Sequence, residues 1–156
     1  MSLIDEIISL SLVPIIGIPY IFFIVNQDKK WLFVALYSFI AISIHNLIKK
    51  VTPTKKFKFL QRPFGAYNCD LFSKDGNQTG KPGFPSGHVT SIVSFFVSIQ
   101  ILFPQYKNFT VPIGIIYTIL MTVSRINKKC HTLLQTITGG VLGLITPIIV
   151  NLVIKP

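Results

Sequence analysis

Carboxylates are scarce in this chain: five Asp and Glu stand against 15 Lys and Arg, for a formal net charge of +10 over 156 residues. Mg²⁺ is usually held by one or two carboxylates together with substrate phosphates. Of the acidic residues only Asp70 and Asp75 fall in the loops that carry the other polar groups. Chemistry without a metal or cofactor is therefore expected. Cysteine is equally sparse, and Cys69 and Cys130 are too few and too far apart for a zinc site. They are expected as free thiols, with a disulfide as the alternative in an oxidising compartment. No cleavable signal peptide is expected either, since Asp5 and Glu6 stand where a basic leader would begin and no small-residue cleavage site follows. Internal repeats and low-complexity tracts are missing. By length, residues 1–156 are read as one domain.

What the chain has in abundance is apolar sequence, 50% of its residues, with a mean hydropathy of +0.60. The apolar residues come in long blocks with the charges confined between them. About 20 apolar residues cross a hydrocarbon core of ~30 Å, so the chain reads as a multi-pass integral membrane protein, an all-α bundle of about five transmembrane helices. The first block, Ile7–Val25, is interrupted by Pro14, Gly17 and Pro19 and is expected to kink or to lie partly in the interface. Trp31–Ile48 follows, with Trp31 as an interfacial anchor and His45 and Asn46 as helix-packing groups. The later spans are Gly87–Phe103, a short Phe109–Val123, and Thr132–Ile154, where Gly139, Gly140 and Gly143 permit close helix contact. Basic residues sit in short links and form no separate domain. Membrane lipid headgroups or a phosphate substrate are the expected partners, and nucleic acid is not.

Residues 49–85 form the one long loop, and loops of that length inside a compact domain are usually functional. Counting spans puts this loop, the start of the third span and the link from Arg125 to His131 on one membrane face. At that third start, Pro85-Ser86-Gly87-His88 opens an apolar run. The first N–H groups of a helix lack intrahelical partners and carry the positive end of its dipole, which suits them to phosphate. The plain alternative makes Ser86 an N-cap, Gly87 a turn residue and His88 an interfacial side chain. On the same face stand Lys55 and Arg62, which would point alike if their segment were helical, together with Ser124-Arg125 and His131. Three cations, a helix start and two histidines describe a phosphoryl-transfer site.

Lys55-x6-Arg62-Pro63, then Pro85-Ser86-Gly87-His88, then Ser124-Arg125-x5-His131 resembles the three signature motifs of the type 2 phosphatidic acid phosphatase superfamily. That superfamily also contains soluble bacterial acid phosphatases and vanadium haloperoxidases. The resemblance implies that His131 attacks phosphorus to give a phosphohistidine and that His88 protonates the leaving oxygen. It implies that Lys55, Arg62, Arg125, the Ser86 hydroxyl and the Gly87 N–H hold the non-bridging oxygens. Lys49, Lys50, Lys56 and Lys58 compete with Lys55 for its role. Four residues after the nucleophile the family usually has Asp, and here stands Gln135. Gln135 can accept a hydrogen bond from the His131 ring and fix its tautomer, but brings no negative charge. His131-Thr132-x-x-Gln135 followed by Gly139-Gly140 is similar to the dolichyl-diphosphatase branch, which tilts the substrate towards a polyprenyl diphosphate.

The implied activity is a metal-independent phosphatase acting on phosphatidate, lysophosphatidate or a polyprenyl diphosphate, with residues 64–84 choosing the headgroup. The alternatives are a lipid phosphotransferase and a catalytically weak phospholipid-binding protein. Sidedness is open. Lys49 through Lys81 with Arg125, Lys128 and Lys129 outnumber Lys29, Lys30, Lys107 and Lys155, so the positive-inside rule places the active face in the cytosol. Members of the family usually face the other way, and a Cys69–Cys130 disulfide would agree with them. The sequons Asn77-Gln78-Thr79 and Asn108-Phe109-Thr110 lie on opposite faces.

Overall fold

The computed structural model describes residues 3–53 and 56–154. Lys55 lies outside them. Six α-helices run through the described residues: α1 (Leu3–Leu10), α2 (Leu12–Asn26), α3 (Lys30–Val51), α4 (Gly87–Leu102), α5 (Lys107–Asn127) and α6 (Leu133–Val153). Four stretches are long and apolar enough to cross a membrane: Leu3–Asn26, which joins α1 and α2, then α3, Pro104–Asn127 and α6. The protein is a multi-pass membrane helical bundle. Its outer faces carry exposed Ile115, Ile116, Ile119, Ile137 and Val141, as a lipid-facing surface requires.

The first block breaks at Ser11 rather than at its prolines. Pro14 sits in the opening turn of α2, where a missing N–H removes no intrahelical bond, and only Pro19 lies inside the helix. Shorter than those four stretches is the apolar helix α4. Its 16 residues span about 24 Å at 1.5 Å per residue, less than a hydrocarbon core. It lies among the others, packed on α3, α5 and α6. Burial suits its serines, two of which return their hydroxyls to the preceding turn: Ser91 donates to the Gly87 carbonyl at 2.9 Å and Ser98 to that of Ser94 at 2.6 Å.

Glycines bring α6 against α4. A Cβ on Gly139 would stand 2.5 Å from the Ser86 carbonyl oxygen, and one on Gly143 would stand 2.5 Å from that of Thr90. Thr90 also donates to the Gly139 carbonyl at 3.0 Å. At the far end Trp31 is buried, stacked between Phe22 and Phe103 with centroids 4.6 Å from each, so it packs the bundle end and is no exposed anchor.

The long loop begins later than its composition suggests, because α3 continues to Val51, with Lys49 and Lys50 in its last turn. Its course is irregular but hydrogen-bonded. Arg62 N–H donates to Lys81 at 2.8 Å, Gln78 to Ala66 at 2.9 Å and Asn68 to Gly76 at 2.9 Å, so the segment folds back on itself across a tip of residues 69–75. Gly76, just after that tip, takes a positive φ of 65°. Over the described residues 56–62 the helix allowed for this segment does not form: a single 3₁₀ turn covers Lys58–Leu60, and Gln61 before Arg62 is extended.

Candidate active site

The loop, the start of α4 and the α5–α6 link converge on one cavity of about 390 Å³. Arg62, Gly87, His88 and His131 line it, and Ser86 and Arg125 are fully buried close by. The structure thus brings residues of all three motifs, Arg62, Gly87, His88 and His131, to one cavity. Ser86 occupies the N-cap position of α4, yet its hydroxyl makes no capping bond. Among the described residues, the Ser86 Oγ, His88 Nε2, Arg62 Nε and Arg125 Nε are buried without a hydrogen-bond partner. Buried polar atoms are normally satisfied, since leaving one unpaired costs about 1–3 kcal/mol. Four such atoms close to one cavity, all of them donors or able to donate and two of them on guanidiniums, fit an anion with several oxygens. They speak against Ser86 as a simple cap.

His131 is held by its Nδ1, 2.8 Å from the Gly83 carbonyl oxygen. A carbonyl can only accept, so Nδ1 carries the proton and Nε2 keeps its lone pair. Burial, then the charges of Arg62 and Arg125, push the ring well below the ordinary imidazole range, so it is neutral at neutral pH. Burial also lowers Arg62, while Asp75 and Asp70 pull it back up.

Gln135 does more than face the histidine. Its Oε1 stands 3.3 Å from His131 Nδ1 and accepts the Thr132 N–H at 3.2 Å, closing a capping box at the start of α6. Its Nε2 donates to the carbonyls of Phe59 at 2.9 Å and Gln61 at 2.8 Å, tying the loop to α6. An aspartate could make neither of these two donated bonds.

The guanidiniums are gripped by backbone. Arg62 Nη1 donates to the Cys130 carbonyl at 3.1 Å, and Arg125 Nη2 to the Cys69 carbonyl at 2.6 Å. Arg125 Nη1 also donates to Ser9 on α1 at 3.0 Å. Cys69 and Cys130 are joined as a disulfide rather than left as free thiols. Lys128 Nζ donates to Ser73 Oγ at 2.9 Å, a second tie between link and loop.

His45, expected only as a helix-packing group, lines the cavity, and so does Lys49, one of the lysines weighed against Lys55. His45 is buried, with Nε2 3.2 Å from the Pro85 carbonyl oxygen, and a Cβ on Gly87 would come within 2.8 Å of its ring. Lys49 stands one turn further along α3. Their four-residue spacing at the end of a span was the available signal. Within 64–84, Cys69, Asp70, Leu71 and Asp75 line the cavity. Leu12, Ile16, Ile42 and Ser91 are shared with a second, apolar cavity between α2, α3 and α4, lined also by Ile15, Pro19, Ala35 and Phe39. No group of three or more His, Cys, Asp and Glu side chains converges as a metal cluster among the described residues.

A family model for the PAP2 superfamily matches residues 30–155, most of the chain. The chain belongs to that superfamily, the type 2 phosphatidic acid phosphatases, and with it to the phosphatases that act on lipid-type phosphates. No curated protein and no solved structure matches it.

Proposed function

We propose that this protein is a membrane phosphatase that cleaves a lipid phosphate or diphosphate through a phosphohistidine, with its active face on the oxidising side of the membrane. The observation that carries the chemistry is the set of buried, unpartnered atoms around the cavity, at Arg62, Ser86, His88 and Arg125. A phosphoryl group seated there would satisfy them. The neutral His131 offers its Nε2 lone pair to phosphorus, forming the N–P bond as the P–O bond to the leaving group breaks. His88 gives that oxygen its proton and then takes one from the water that frees the histidine. Arg62, Arg125, the Ser86 hydroxyl and the first N–H groups of α4 hold the non-bridging oxygens, the stabilisation that a loose transition state needs most. Lys55 would join them from the loop by the family pattern, and Lys49 lies where it can share the role.

The adjoining apolar cavity favours a substrate with a hydrocarbon tail over a soluble ester. The Cys69–Cys130 bridge favours the oxidising side, since disulfides persist there and rarely in the cytosol. The opposing count of basic loop residues is inflated by cations that serve phosphate.

Purified protein in detergent with EDTA is expected to release phosphate from phosphatidate, lysophosphatidate or polyprenyl diphosphates. His131→Ala should abolish release with the helical circular dichroism intact, and the wild type should trap labelled phosphate on protein in an alkali-stable, acid-labile form. Full activity in His131→Ala would remove the nucleophile. Binding without turnover on the whole panel would favour the phospholipid-binding reading, and label passing to an added lipid or sugar alcohol the phosphotransferase reading.

A further inference from the structure

We infer that the Cys69–Cys130 disulfide positions the two guanidiniums of the phosphate cradle, so that phosphate affinity and turnover require the bridge to be closed. This rests on the reading above, in which Arg62 and Arg125 bind phosphate oxygens. The pattern is crosswise. Arg62 belongs to the loop and grips the carbonyl of Cys130 on the link, whereas Arg125 at the end of α5 grips the carbonyl of Cys69 on the loop. Each arginine therefore reaches across to the cysteine of the opposite segment. Both bonds form only while the two segments keep one register, and the bridge between the same two residues fixes that register.

Two buried guanidiniums facing one cavity repel each other when no anion lies between them. Their carbonyl partners are what hold them in place beforehand, and preorganised donors are what stabilise a transition state. The site is coupled further, because Cys130 directly precedes His131 and the N–H groups of both donate to the Arg125 carbonyl, at 3.0 Å and 3.2 Å. The bridge is buried with Ala66 in a small cluster of its own, apart from the two large cores of the bundle. Opening it therefore loosens the loop against the link while the helices retain their packing.

The test compares three forms in detergent, with inorganic phosphate as the binding probe and lipid phosphate hydrolysis in parallel. They are the oxidised wild type, the wild type after a phosphine has converted the S–S bond to two thiols and become its oxide, and Cys69→Ser/Cys130→Ser. With helical circular dichroism unchanged, phosphate affinity and kcat/KM are expected to fall about tenfold or more in both opened forms, the scale of one misplaced charge-assisted bond. Reoxidation should restore the wild type and leave the double variant low. A bridge that is only structural would lower Tm yet leave phosphate affinity of the folded protein unchanged, and that result overturns the inference. So does loss of the helices on reduction, since the bridge would then be supporting the bundle; if the double variant alone fails to fold, the reduced and reoxidised wild type decides. Should the oxidised wild type neither bind phosphate nor hydrolyse any lipid phosphate, the underlying reading of the site falls instead.

Discussion

Gln135 shows how one side chain can be misjudged when only its neighbour in the sequence is considered. Set beside His131 it looks like an aspartate stripped of charge, and Gln135→Asp would then be expected to raise activity. In the folded protein the Gly83 carbonyl already fixes the histidine tautomer, and Gln135 spends its amide on Phe59 and Gln61. Gln135→Asp is therefore expected to lower kcat/KM about tenfold, because the loop loses two hydrogen bonds that tie it to α6, at about 0.5–1.5 kcal/mol each. A rise in steady-state turnover of the purified variant would show that the missing charge limits the rate. The reacting side chains were legible because their chemistry belongs to residue type. The groups that orient them were not: Gly83, Cys69 and Cys130 act through main-chain carbonyls, which every residue possesses.

Among the helices, the pairing of α4 with α6 governs the site. Gly139 lies against the backbone of Ser86, the residue from which α4 starts, and Ser86 N–H donates to the Gln135 carbonyl at 2.9 Å. Gly139→Ala is expected to push the two helices apart, lowering stability by about 1–3 kcal/mol as overpacked sites do. It should also reduce turnover at temperatures where the protein is still folded, since the shift falls on the cradle. Gly140→Ala is the control: its Cβ would meet only Val89 at an ordinary 3.8 Å, so melting and activity should stay near wild type. The apolar blocks located every span, because bilayer thickness sets their length. Their ends were less legible. Both α3 and α5 run several residues past the apolar stretch, to Val51 and Asn127, because basic residues in a last turn complement the helix dipole and continue the helix. Arg125 thereby stands on a rigid helix and not in a flexible link.

At the scale of the whole molecule, everything polar that matters lies at one end, and the direction in which that end points decides which lipids it meets. With the active face on the oxidising side, the exposed Asn77 sequon shares that side and the exposed Asn108 sequon does not. Translation into microsomes is expected to add one glycan, lost in Asn77→Gln and kept in Asn108→Gln; the reverse pattern would turn the protein over. Convergence of the three motifs could be read from span parity alone. The closed bridge could not: parity puts Cys69 and Cys130, 61 residues apart, on one face, but bonding distance depends on how the irregular loop folds.

The family match begins at residue 30, yet α1 and α2 precede it, and α2 forms one side of both cavities. Apart from Ser9 on Arg125, what they contribute there is apolar wall: Leu12, Ile15, Ile16 and Pro19. On the proposed function, α2 would supply part of the wall that meets a hydrocarbon tail, with Ala35, Phe39 and Ile42 of α3 opposite it. Substitutions along this α2 wall would then retune which tails fit while the groups proposed to face phosphate stay in place.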